Sequence, residues 1–133
     1  MKLTKSEILN ATAAIPNLQG VSWRDGRAFF RLSMLHKGLV PFAESVQEQL
    51  NKVADDHKDD KGKPLSAPKK GKENKAWDAY NEAYQAVLVE EEDVDVKARI
   101  PEDFLEKYRD DGKAPEFGDI YSLQHFITNG EAK

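Results

Sequence analysis

Residues 55–62, Asp-Asp-His-Lys-Asp-Asp-Lys-Gly, are the first place to look for chemistry, because clustered carboxylates ahead of a glycine are the raw material of a calcium loop. A helix-loop-helix calcium site needs carboxylates or amides at loop positions 1, 3 and 5 before glycine at 6, and a glutamate at 12. Counted back from Gly62, those positions hold His57, Asp59 and Lys61, and the twelfth is Pro68. The spacing predicts a solvated turn, with no metal expected. Gly71-Lys72 has the ending of a phosphate-binding loop, but Ser66 stands where the first glycine belongs and Glu73 where a Ser or Thr would hold magnesium.

His36, His57 and His125 lie far apart, and none sits in a two-histidine zinc spacing. There is no cysteine, so thiolate nucleophiles, disulfides and cysteine metal sites are all excluded. No serine occupies a Gly-x-Ser-x-Gly elbow. Paired carboxylates occur only in charge runs, where water rather than a pocket sets their pKa values. The expectation is therefore a chain that is not an enzyme, with no catalytic, cofactor-binding or metal-binding residues and no cofactor.

The elements that carry these residues are mostly helical by their spacing. Thr4-Lys5-Ser6-Glu7 fits a capping box, in which the hydroxyl and the carboxylate satisfy two backbone donors reciprocally. A helix of about three turns is predicted from there, with Ile8, Leu9, Ala11, Ala14 and Ile15 on its apolar face and Pro16, Asn17 and Gly20 as its end. Phe29, Leu32, Leu35, Leu39, Phe42, Val46, Leu50 and Val53 then form one helical stripe, the strongest periodic signal in the chain. Gly38 and Pro41 interrupt it, so either a kinked long helix or two helices meeting near 37–40 is expected. Trp77, Tyr80, Tyr84, Val87 and Leu88 make a second stripe that could lie antiparallel against the first.

Residues 55–75 hold two prolines, two glycines and seven lysines, which predicts a mobile, locally basic connector. Val94 to Ile100 alternates apolar and polar, the period of a half-buried strand, to be paired with the loop near Leu65 or with another chain. Pro101 suits the first position of a helix through Tyr108, 110–112 a turn, and Asp119 the cap of a last helix that points Ile120, Leu123, Phe126 and Ile127 inward and ends at Asn129-Gly130. The fold class is then mainly α with a minor β element: a long helical hairpin, a short strand and small C-terminal helices. At 133 residues a single domain 1–133 is expected, with helices over 1–54, the connector 55–75, a return helix 76–89 and an acidic strand-and-helix region 90–133.

Charge narrows the partner more than the fold. The net of −4 is too mild to announce a nucleic-acid partner, but residues 90–133 carry 13 acidic and 6 basic side chains. With 33% charged residues against 39% hydrophobic, part of the chain is expected to sit outside any core or to await a partner that covers it. The alternating segment and its acidic lead-in, Glu91, Glu92, Val94, Asp95, Val96 and Ile100, are the candidate interaction residues. No apolar run reaches the ~20 residues of a membrane span and the first residues lack the apolar core of a signal peptide. No membrane or nucleic-acid partner is expected.

The order of features also resembles a group of small uncharacterised proteins of tailed bacteriophages and prophages. The likeness runs from Met1-Lys2-Leu3-Thr4 to Asp60-Lys61-Gly62-Lys63-Pro64, resumes at Tyr80-Asn81-Glu82-Ala83-Tyr84 and Glu91-Glu92-Asp93-Val94-Asp95-Val96, and closes at Asp119-Ile120-Tyr121-Ser122-Leu123-Gln124-His125-Phe126-Ile127. It implies a phage origin and a hairpin-plus-strand design, and carries over no functional residue. The expected function is a non-enzymatic protein-interaction module, a minor virion structural or assembly component, docking on a virion protein or on itself in the host cytoplasm or the virion. The alternative is a phage-encoded inhibitor that meets a host protein through the acidic C-terminal third.

Overall fold

A computed structural model describes residues 1–65, 67–68, 71, 74–109 and 111–128. Its spine is one helix, α2 (Gly26–Asp56), whose 31 residues span about 46 Å. On it lie α1 (Lys5–Gln19) and α3 (Lys75–Leu88), while β1 (Lys2–Thr4), β2 (Glu91–Asp93), β3 (Ile100–Pro101), a 3-10 turn (Glu102–Glu106), α4 (Phe117–Ser122), a second 3-10 turn (Gln124–Phe126) and β4 (Ile127–Thr128) complete the order. The protein is mainly α with a minor β part.

The capping box at Thr4 forms as its residues dictate. The Thr4 hydroxyl accepts from Glu7 N at 3.1 Å and the Glu7 carboxylate accepts from Thr4 N at 2.9 Å. From this cap α1 runs to Gln19, almost a turn beyond the expected stop, with Pro16 inside it. Pro16 and, in α2, Pro41 both lie on exposed faces, where water can satisfy the carbonyl that loses its donor four residues earlier. This is why neither proline breaks its helix, and why α2 is continuous through 37–40 instead of dividing into two.

Gly38 has a packing role rather than a breaking one. A Cβ there would stand 3.0 Å from Val96 Cγ1, so the missing side chain is what lets the 94–99 segment lie against α2.

Two hydrogen bonds fix how α1 lies on the spine. Lys5 Nζ donates to Gln49 Oε1 at 2.6 Å, and Gln19 Nε2 donates to Ser33 Oγ at 2.8 Å, so the two helices are antiparallel. The Tyr80 ring lies 6.1 Å from that of His57 at the far end of α2, while Glu90, just past α3, accepts from the backbone and side chain of Lys5. The α3 helix therefore also runs antiparallel to α2, covering its C-terminal end where α1 stops.

The core belongs to the first of these pairings. Ile8, Ala11, Ala14, Ile15 and Leu18 of α1 and Ala28, Leu32, Leu35 and Leu39 of α2 bury together with Val94, Val96, Ile100, Phe104, Leu123 and Phe126. Val46 and Leu50 are also buried, whereas Phe29, expected on the stripe, is 49% exposed and Ala28 takes its place. No residue of α3 is fully buried.

The alternating segment differs most from expectation. Val94, Val96 and Ile100 are buried and Asp95 and Lys97 exposed, so the period-two reading of burial is right. Residues 94–99 nevertheless form no strand. The ladder lies just before them, where β2 pairs antiparallel with β1, Leu3 opposite Glu92, and just after them, where β3 pairs parallel with β4. The loop near Leu65 is not the partner. Three backbone groups along 94–99 find partners outside any ladder: Val94 N donates to Met1 O at 2.7 Å, and the Arg99 guanidinium donates to the carbonyls of Val96 and Ala98.

Smaller differences have equally local causes. The expected helix after Pro101 is a 3-10 turn ending at Glu106, because Tyr108 is drawn into a bridge with Trp23. Arg24 N donates to Lys107 O and Arg109 N to Ser22 O, which laces the α1–α2 link to residues 107–109. Glu116, not Asp119, precedes α4; Asp119 lies inside it and accepts from Asn17 Nδ2 at 3.3 Å. Leu123 and Phe126 are buried as expected, and Asn129-Gly130 falls outside the described residues. Within the connector, expected to be mobile throughout, Asp59 accepts from Lys61 N and Lys63 N and Lys58 bridges Pro64, a hydrogen-bonded turn.

Candidate docking surface

The depression lined by Glu7, Asn10, Tyr121, Ser122, Gln124 and His125 has the composition closest to chemistry: an acid, an imidazole and a hydroxyl in about 210 Å³. Its groups are aimed elsewhere. His125 Nε2 meets Glu7 Oε2 at 2.7 Å, while Glu7 Oε1 is held by Thr4 N, so the carboxylate serves as helix cap and tether. Ser122 Oγ donates to Gly118 O at 2.9 Å, as a helical serine does. Among the described residues no group of three or more His, Cys, Asp or Glu side chains is placed to share a metal ion. No helix among them is long and apolar enough to cross a membrane.

The cap has a pH signature. The Thr4 backbone donor, and after it His125, hold the Glu7 carboxyl below its ordinary value of 4.5. A depressed acid contributes stability that is present above its ordinary pKa and lost as pH falls through the folded value. Glu7→Gln, which removes the titrating carboxyl, should therefore flatten this part of the stability loss in acid, whereas Thr4→Ala keeps the backbone donor and costs about 1 kcal/mol at neutral pH through the lost hydroxyl cap. Urea melts between neutral and acid pH check both.

Of the residues expected to bind a partner, Val94, Val96 and Ile100 are spent on the chain's own core, at 2%, 8% and 2% exposure. Their apolar character answers to Gly38 and the helices beneath them. Glu91 and Asp95 face solvent, and Glu92 is half-buried in the β1–β2 ladder. The structure thus separates the six residues and leaves only the acidic ones available.

The large apolar surface lies instead on α2. Phe30 and Met34 are 63% and 52% exposed, one turn apart, and with Ser33 and Lys37 they line a shallow groove of about 360 Å³. At about 100° per residue they fall opposite Leu39 and Val46, so they form a second, outward face of the same helix. Its signal was present in the sequence: Phe30, Met34, Lys37, Pro41, Glu44 and Glu48 keep the 4-3-4-3-4 spacing of a helical seam. The stripe reading missed it because polar members occupy its second half. A second apolar patch, Phe117 stacked on Tyr121 with centroids 6.2 Å apart, stands on α4.

No family model, no curated protein and no solved structure matches the chain.

Proposed function

We propose that the protein is a non-enzymatic interaction module of a tailed phage or prophage, a minor virion structural or assembly component that docks through the outward face of α2. The observation that carries this reading is the pair Phe30 and Met34, held open to solvent on the half of the 31-residue α2 whose other side is the core. Large side chains exposed together on a packed scaffold are what an interface anchor requires, since their burial against a partner stabilises a complex without reorganising the fold. The phage assignment rests on the sequence resemblance. The host-inhibitor alternative draws on exposed Glu91 and Asp95, but its charge is partly spent within the chain, Glu90 on Lys5 and Asp93 on the Met1 amine.

The test is capture of partners from phage-producing cells by the protein and by a Phe30→Ser, Met34→Ser variant. The variant should keep its stability within about 0.5 kcal/mol, as surface changes do, and lose partner affinity by roughly tenfold or more. Undiminished capture would sink the α2 face. Purified particles devoid of the chain would sink the virion role.

A further inference from the structure

The charge distribution of α2 is inverted. Helices are favoured by acids near the N-terminus and bases near the C-terminus, which offset the macrodipole. Here the first turn has no acid and the last no base. Residues 26–40 hold Arg27, Arg31 and Lys37 with no carboxylate, while 41–56 hold Glu44, Glu48, Asp55 and Asp56 against Lys52. Arg27 is occupied by Asp25, and Arg31 lies over the Phe104 ring. Lys37, Glu44 and Glu48 are exposed and make no ion pair or side-chain hydrogen bond among the described residues, and all three lie on the Phe30–Met34 face.

We propose that this face pairs with the same face of a second copy, the two α2 helices running antiparallel about a two-fold axis near Pro41. The inference rests on the reading of the α2 face as a docking surface and names its occupant. Reflected about Pro41, position 37 falls on 45, one residue from the seam member Glu44, position 34 on 48, and position 30 on 52. Two-fold symmetry makes each contact twice, so Lys37 of each copy meets Glu44 of the partner subunit in two equivalent ion pairs. Met34 lies along the methylenes of the partner subunit's Glu48, and the Phe30 ring against the aliphatic stem of the partner subunit's Lys52, which can cover apolar surface while its ammonium stays in water.

An antiparallel partner sets the basic, dipole-positive half of each helix on the acidic, dipole-negative half of the other. A parallel pairing would stack like on like. Few foreign surfaces would share this symmetry, whereas a second copy has it by construction. The face is exposed at every seam position from Phe30 through Glu48 and on to Asn51 and Asp55.

The experiment is sedimentation equilibrium of the full chain over a wide concentration range at low and high salt, with Lys37→Glu, Glu44→Lys and the double variant alongside. Circular dichroism establishes that each is folded. The expected result is a reversible dimer that weakens as salt rises, dissociates at least tenfold more readily in either single variant, and regains its affinity in the double variant, where the pairs re-form with their signs exchanged. A folded chain that stays monomeric at low salt and millimolar concentration overturns the proposal. So does a dimer indifferent to both single reversals, or one the double variant does not restore. A monomer that still captures a foreign partner through Phe30 and Met34 overturns the second copy while leaving the docking face intact; a monomer that captures nothing removes both.

Discussion

Phe126→Ala should destabilise the protein by about 3–5 kcal/mol, a large share of the total for a domain of this size. The ring is fully buried, at 0% exposure, and the Arg99 guanidinium lies over it with its carbon 5.6 Å from the centroid. Truncation would leave a cavity under a cation already committed to two backbone carbonyls, so the surroundings cannot simply collapse inward. Because β4 begins at the next residue and pairs with β3, loss of the ring should also loosen the join between the C-terminal segment and residues 100–101. Urea denaturation gives the magnitude. Phe117→Ala, at 79% exposure, is the control and should move the midpoint hardly at all.

The second large effect is expected at Gly38. In an exposed helix interior, replacing glycine by alanine gains about 1 kcal/mol through backbone entropy. Here the new Cβ would press on Val96 at 3.0 Å, so alanine should be near neutral or mildly harmful, and Gly38→Val should cost on the order of 2–3 kcal/mol as the 94–99 segment is pushed off the helix. Combining Gly38→Ala with Val96→Ala removes the collision and should recover part of the loss. Additivity of the two single changes, measured as a thermodynamic cycle, would show that they do not meet.

The helices were legible because their signals are local. Thr4 and Glu7 announce a cap within four residues, and Leu32, Leu35 and Leu39 report their own burial by spacing alone. What escaped was everything set by distant chain. Alternation at 94–100 records which side chains are covered and says nothing of where the backbone finds its partners; the Arg99 guanidinium and the Met1 carbonyl supply them. Gly38 looks like a breaker until Val96 is placed beside it. The bridge between Trp23 and Tyr108 spans most of the chain and has no sequence signature. The outward face was hidden for a different reason: a search for core finds the stripe that is apolar throughout, and the Phe30 seam turns acidic after Pro41.

The absence of any fully buried side chain in α3 divides the spine into two regimes. Opening free energy in a native protein follows the apolar surface that each cooperative unit conceals. The stretch of α2 around Leu32 to Leu39 can be bared only by dismantling the core, so it should exchange its amides on the timescale of global unfolding. The stretch toward Asp56 is sheltered by a helix that can lift away at modest expense, so its amides, and those of α3, should exchange far sooner in native-state deuterium labelling. One helix would thus display two clocks, slow where α1 lies and fast where α3 does.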